Sequence, residues 1–524
     1  MKLSGRKIIL LTLLGVLVVG GLGMAIYYWR AKTAVTNYRK QLIAAGEKLT
    51  VKELIPPPPA KEEDGAELFH QVNAKLSFYT KDILSTNPPQ SMKFVAPGRA
   101  MVGWQQPAVR GENETNTWDD LAVTLDGIAK ELELLGQLGE KRTMDFKLNY
   151  HQGFTLLLPM LAPMKGASQK LAAAALLSLH DGDEAAATKH LRGMLGLARG
   201  LSEERIVISQ LVRIAIANIA QAATWELLQS TNLTEAQLAT IQDDWAALDF
   251  VRPMQLALEM ERALNEMTIA NMRESRDAFY QMTSGMWGGG GATFGRSGDP
   301  LLDAAELAKV GWKKTVEASR EGMWRVAWSY PDQLRMLKGK QAQLEAMRMA
   351  VTNENIGAAL EFQEKKLKEL GFALLVDDDD FSPLYAWSHL QTLFSSSVAS
   401  LSGMLNKVMV TEAGRQLTVT AIALKRHQLR HGNLPADLAA LVPEFLPSVP
   451  LDPVNAQPLH YKPNADGTVL LYSVGEDAED NGGDPKHAGN KTNSNFWRWG
   501  RDWVWPQPAS AQEIEDFYQQ KRGK

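Results

Sequence analysis

Twenty-two consecutive residues without a charge, Ile8 to Trp29 (IILLTLLGVLVVGGLGMAIYYW), constrain this chain more than any other feature. At about 1.5 Å of rise per residue the run makes a helix of roughly 33 Å, against about 30 Å for bilayer hydrocarbon. Tyr27, Tyr28 and Trp29 close it as an interfacial aromatic belt, and Arg30 follows at once. A cleaved signal peptide is the competing reading. The run is long for such a peptide, however, and Gly23-Met24-Ala25 is a poor small-x-small cleavage site. A retained anchor is the expectation. Lys2, Arg6 and Lys7 before the run nearly balance Arg30, Lys32, Arg39 and Lys40 after it, so the positive-inside rule does not orient it. A short leading tail stays inside easily, and an anchor of this kind sends the long C-terminal part across. The expected location is the inner (cytoplasmic) membrane, single-pass, with the bulk of the chain in the periplasm or extracytoplasmic space.

Beyond the anchor, 524 residues exceed what one hydrophobic core usually holds. Net charge is −4, from 56 basic and 60 acidic residues, and no basic stripe is interleaved with aromatics. No long-range field draws in nucleic acid, so none is expected as a partner. The expected partners are the membrane, through residues 8–29, and proteins of the cell envelope. Cysteine is absent, which excludes disulfides, thiolate nucleophiles and Cys-ligated zinc.

The pattern after the anchor is helical. Residues 1–30 are read as tail and anchor, and 31–60 as a helical stalk with a polyproline spacer at Pro56–Pro59. Residues 61–375 form a mainly α body, a bundle or short solenoid. Within it, Lys61-Glu62-Glu63-Asp64 is a solvated cluster opening a helix. Asp183, Ser202 and Thr234 with Gln237 are candidate N-caps, and Gly200 is a stop. Pro253 punctuates before a further helix, and a break is expected near Tyr330-Pro331. Pro88 to Glu114 loses periodicity and reads as an ordered or partly ordered excursion. No fixed period of about 34 residues recurs, so true repeats are not assigned. Gly288–Gly291 lacks phosphate-cradle spacing and reads as a surface loop, and Asp377–Asp380 as a solvated acidic run. Residues 376–410 are read as a connecting acidic loop and helix.

From about residue 411 the composition changes. A helix, Glu412 to Arg430, ends at Gly432 and gives way to prolines and short alternating runs. His460-Tyr461 and Thr468–Val474 read as strands joined by a hairpin turn at Asn464–Gly467 (NADG). Residues 411–508 are therefore a small α+β module, followed by a tail, 509–524.

The order of motifs in this module resembles the C-terminal region of the major pseudopilin of type II secretion. His431–Pro435 stands for that family's NGxYP turn, Leu438–Val442 for its LxxLV helix, Asp452–Tyr461 for its DPWGxPYxY strand and Leu471–Gly483 for its LYSxGxDGxxGG loop. The likeness covers about a fifth of the chain. It implies an α+β module that works outside the cytoplasm in a secretion or pilus-like assembly. It also implies calcium in the last loop, with Ser473, Asp477, Asp480 and Asp484 at the ligand positions. Calcium takes six to eight oxygens at about 2.3–2.6 Å, which a Gly-rich loop can supply by wrapping. The anchor lacks the family's leader-peptidase context and its membrane-buried glutamate, and nearly 400 residues separate anchor from module.

No catalytic signature accompanies these features. His427 and His431 (HQLRH) have the spacing of a zinc pair, but glutamine stands where a zinc protease needs its glutamate base. His70, His151, His180 and His190 are scattered, and no GxSxG elbow occurs. Trp497, Trp499, Trp503 and Trp505 alternate at period two, as in a strand packed by one aromatic face, or as a binding surface if exposed. Two functions stay open. One is a non-enzymatic envelope scaffold or partner-binding protein linked to a type II secretion or pilus-like assembly. The other is a membrane-anchored hydrolase with its site in the helical body.

Overall fold

The computed structural model describes residues 5–76, 89–109, 116–283, 319–372, 391–465, 467–486 and 500–522. Gly288–Gly291, Asp377–Asp380, Trp497 and Trp499 lie outside the described residues.

The chain is mainly helical, and it begins with one unbroken helix, α1 (Gly5–Ala44), 40 residues long. At about 1.5 Å per residue it extends roughly 60 Å, so the apolar run and the stalk are a single rod. From Leu11 onward it is long and apolar enough to cross a membrane. Short α2 (Val51–Leu54) follows, and the prolines then lead to α3 (Ala66–Leu76). Asp64 opens α3 as expected, accepting the N–H of Ala66 at 2.9 Å and that of Asp145 at 3.0 Å.

The stalk does not stand free. Val35, Leu42 and Leu49 are buried in a core with Ile269, Trp324 and Leu337. Arg39 pairs with Glu266 at 2.9 Å, and Glu47 is clamped by Arg262 at 2.8 Å and by Arg348 at 2.8 Å.

The body continues with α4 (Trp118–Asp126), α5 (Ala129–Gly136), α6 (Leu161–His180), α7 (Glu184–Gly200) and α8 (Val207–Leu228). After these come α9 (Glu235–Ala246), α10 (Val251–Glu274) and α11 (Arg276–Thr283). Local signals set several of these ends. Asp183 accepts from Ala186 at the start of α7, and Thr234 with Gln237 forms the capping box of α9. Ser202 does not cap α8; its N–H closes the turn after α7 on Arg199 C=O at 2.9 Å, and the helix starts at Val207. Pro253 lies inside the first turn of α10 rather than before it, where its missing N–H costs nothing. Helix α7 approaches the 3-10 turn Gln137–Glu140 so closely that a Cβ on Gly196 would overlap Leu138 C=O. Helix α8 also has the length and hydropathy of a membrane span, but most of it is buried, as befits a core helix.

No break occurs at Tyr330-Pro331. A π-turn, Trp324–Trp328, leads straight into α12 (Ser329–Asn353), with Pro331 in its first helical turn. The wide turn immediately before it accommodates the proline, which has no N–H to give to the helix ladder. Helix α13 (Ile356–Glu369) follows a left-handed Glu354. Beyond α14 (Ser396–Ser400), α15 (Met404–His431) ends on Gly432 at φ 75°, the expected C-cap.

Two small sheets complete the fold. Within the excursion, β1 (Lys93–Ala96) and β2 (Arg99–Met101) form a hairpin. Glu226 of α8 holds it by accepting from Met92 N–H at 2.7 Å and Gly103 N–H at 3.0 Å. In the C-terminal region β3 (His460–Pro463), β4 (Val469–Ser473) and β5 (Trp503–Val504) form an antiparallel sheet in that order. Between β3 and β4, Gly467 N–H donates to Asn464 C=O at 3.1 Å, and His460 stands opposite Tyr472. Strand β6 (Gln507–Pro508) then pairs in parallel with β2, and α16 (Ala511–Arg522) covers that sheet through Ile514 and Tyr518. One hydrophobic core runs through Leu171, Leu195 and Trp225 of the body and Leu417, Leu471 and Trp503 of the C-terminal region.

Candidate functional site

Four loop residues were singled out by the sequence, and each is engaged separately by its own neighbourhood. Ser473 is fully buried and its hydroxyl donates to Asp452 at 2.9 Å, away from the loop. Asp477 accepts from the N–H of Glu479 at 3.1 Å, Asp480 from Gly482 N–H at 2.9 Å and Asp484 from Lys486 N–H at 3.0 Å. Each carboxylate thus folds back on the backbone two residues ahead, an Asx-turn geometry. Tyr472 also donates to Asp480 at 2.8 Å, and His460 stacks on the Tyr472 ring. Among the described residues no three His, Asp or Glu side chains come together as a metal-binding group.

Two buried acids that the sequence reading missed organise this region. Asp502 accepts from the N–H groups of Gly483 at 2.7 Å and Asp484 at 3.0 Å, closing the loop from beneath. Asp452 accepts from Val454 N–H at 3.0 Å and Val474 N–H at 2.9 Å, tying the proline-rich segment to the end of β4. Burial raises the pKa of both, opposed by these amides. The Asp-Pro dipeptide at 452 was the available signal; nothing local marks Asp502.

The histidine pair is surface structure. His427 Nδ1 meets Asn433 C=O at 3.0 Å and His431 Nε2 meets Glu444 at 3.3 Å. His180 stacks on Trp118 and bonds Trp104 C=O at 2.9 Å, whereas burial pushes His190 down to about 4. Trp503 and Trp505 are buried, which makes them packing residues.

Besides a concavity of about 260 Å³ whose Glu412 is already taken by Phe250 N–H and Arg415, two among the described residues are candidates. A cavity of about 300 Å³ lies under the polyproline strap, walled by Pro56–Pro59, Met144, Asp145, Tyr150, Glu203 and Glu204. Tyr150 donates to Glu204 at 3.1 Å. Burial pushes Glu204 up to about 7, against the lowering effect of the Tyr150 hydrogen bond, and the neighbouring charge of Asp145 raises it further. Such a group exchanges a proton near neutrality, which acid–base chemistry requires. The second concavity, of about 210 Å³, lies between α15 and the β4 and β6 strands. Its floor is Ala421, Leu424, Val469 and Trp505, with Lys425 and Gln428 at its side. Pro506 is fixed there by Trp225, whose indole N–H donates to its carbonyl at 2.8 Å. Burial lowers the Lys425 pKa. An apolar floor with a few polar groups at its side is the form of a ligand-binding concavity.

No family model matches this chain, and neither curated proteins nor solved structures give a match.

Proposed function

We propose that this chain is a membrane-anchored scaffold whose body stands outside the cytoplasm in the cell envelope. In this reading its C-terminal region is a pseudopilin-like assembly element of a type II secretion or pilus-like machinery. The observation that carries the reading is the continuity of α1 from its apolar run into the body, locked by the buried Glu47–Arg262 pair and by Arg348. A body joined to its anchor without a hinge presents its far surfaces at a set height above the bilayer. The groove beside α15 supplies such a surface, apolar and lacking acid–base pairs. The test is in-cell photo-crosslinking from a probe replacing Gln428, with one at Val123 as control, followed by mass spectrometry. A secretion or pilus-type component captured at 428 and absent at 123 supports the reading. Recovery of no such component from 428 removes the assembly role.

The cavity under the proline strap favours a second reading, a hydrolase using Glu204 as general acid. Its test is turnover of chromogenic ester, amide and glycoside substrates by the full chain. Activity lost in Glu204→Gln supports it, and activity that survives that substitution removes Glu204 from the chemistry.

A further inference from the structure

Three side-chain pairs fix how the body stands on its anchor. Tyr28 packs edge-on against Tyr330 with ring centroids 5.2 Å apart, Lys338 lies 6.0 Å from the Tyr38 ring, and Glu47 bonds Arg348. The partners ascend together in both helices, so α12 runs parallel to α1. Helix α10 runs the opposite way: Arg262 meets Glu47, Glu266 meets Arg39, and Arg273 lies 3.7 Å from the Tyr330 ring. The start of α12, the end of α10 and Tyr28 therefore share one end of the bundle. Tyr28 belongs to the aromatic belt that closes the apolar run, so that end sits where α1 leaves the bilayer.

The body carries partly exposed apolar side chains at this end. The π-turn before α12 buries Trp324 but leaves Val326 45% exposed, with Met323 just before it 37% exposed. Helix α11 is joined to this turn by Phe279 against Trp324, ring centroids 5.5 Å apart, and by Arg276 on Glu321 at 3.0 Å. Glu321 also takes Arg325 at 3.0 Å, which leaves one positive charge in excess across the three groups. Apolar side chains interleaved with arginine beside tyrosine and tryptophan match the headgroup–acyl boundary of a bilayer. The docked stalk leaves no hinge by which this end could swing clear of the lipid.

We infer that this end of the body, the π-turn Trp324–Trp328 with α11, is a second membrane contact that rests in the interfacial layer of the bilayer that α1 enters. The inference rests on the anchor reading above. Met323 and Val326 enter the boundary among the glycerol-proximal acyl segments, and Arg276 meets headgroup phosphates. The contact sets the tilt of the body as well as its height.

The chain has no cysteine, so single labels can be placed without background. The experiment uses the full chain in lipid nanodiscs, with an environment-sensitive fluorophore on Val326→Cys, Met323→Cys, Leu17→Cys or Val123→Cys. Quenching is read from lipids brominated near the glycerol end of their acyl chains and from lipids brominated deep in them. Unchanged melting temperatures identify labelled variants that are correctly folded. Emission lost with the shallow quencher at 326 and 323, at 17 with the deep one, and not at 123, is the expected result. Quenching at 17 with 323 and 326 behaving like 123 overturns the second contact while leaving the anchor intact. Absence of quenching at 17 overturns the anchor reading and this inference with it.

Discussion

Glu47→Gln isolates the joint between anchor and body. The Glu47 side chain is nearly inaccessible and that of Arg262 wholly so, and Arg262 Nη2 bonds the Glu47 carboxylate at 2.8 Å. Arg348 binds the same carboxylate, with Gln341 adding a bond at 2.9 Å. The amide keeps the shape and removes the charge, so a buried guanidinium loses its counter-ion. Removing one partner of a buried pair costs about 3–5 kcal/mol, and the partial exposure of Arg348 reduces this to about 2–4 kcal/mol. That weakens docking of the stalk by roughly 30- to 700-fold. Hydrogen exchange of the amides in residues 31–54, measured in nanodiscs, reads the change as lost protection. Burial opposes ionisation of Glu47, but the bonds from Arg348, Arg262 and Gln341 outweigh it and hold the group at about 2, below its ordinary 4.5. A depressed acid stabilises fully above its unfolded pKa and loses that contribution as pH falls through the folded one. Wild-type protection therefore declines between about pH 4.5 and 2, and the Gln variant shows no such decline. Protection of residues 31–54 that is the same in both proteins at pH 7 refutes the clamp.

Further outcomes follow from the other buried acids and from one cap. Glu204 is raised to about 7 from 4.5, so its unfolded form ionises first and stability falls as pH rises across that interval. Glu204→Gln flattens this fall, worth about 3 kcal/mol, in denaturant titrations at pH 5 and pH 8. Asp452→Asn puts an amide against the Val454 and Val474 N–H donors and costs about 1–3 kcal/mol, read as faster exchange in β4. Thr234→Ala removes the capping box of α9 and costs about 1 kcal/mol in the same titration.

What could be read from the sequence was local. Asp183, the Thr234–Gln237 box, Gly432 and the bond of Gly467 to Asn464 act on backbone within a few residues, so short patterns reveal them. The same reasoning misplaced Ser202, because a cap requires the helix to start beside it and the chain makes a further turn to Ile206 first. The docking of the stalk left no local mark because its partners are distant: Glu47 meets Arg262 and Arg348 across 215 and 301 residues. Glu226 and Asp502 carry no local mark either, since the amides they satisfy are set by how loops fold onto helices. The resemblance implied ligand positions in the acidic loop at 473–484, but no sequence signal shows that Asp477, Asp480 and Asp484 accept from backbone amides two residues ahead.

The central claim is that α1 crosses the membrane and carries the body outside the cytoplasm. Labelling of single cysteines in intact cells by a membrane-impermeant maleimide tests it most directly. Val123 is 76% exposed on the body, and Ser4 precedes the apolar run. With the outer barrier permeabilised and the inner membrane intact, Val123→Cys labels fully and Ser4→Cys only after lysis. Val123→Cys that stays unlabelled until lysis contradicts the account.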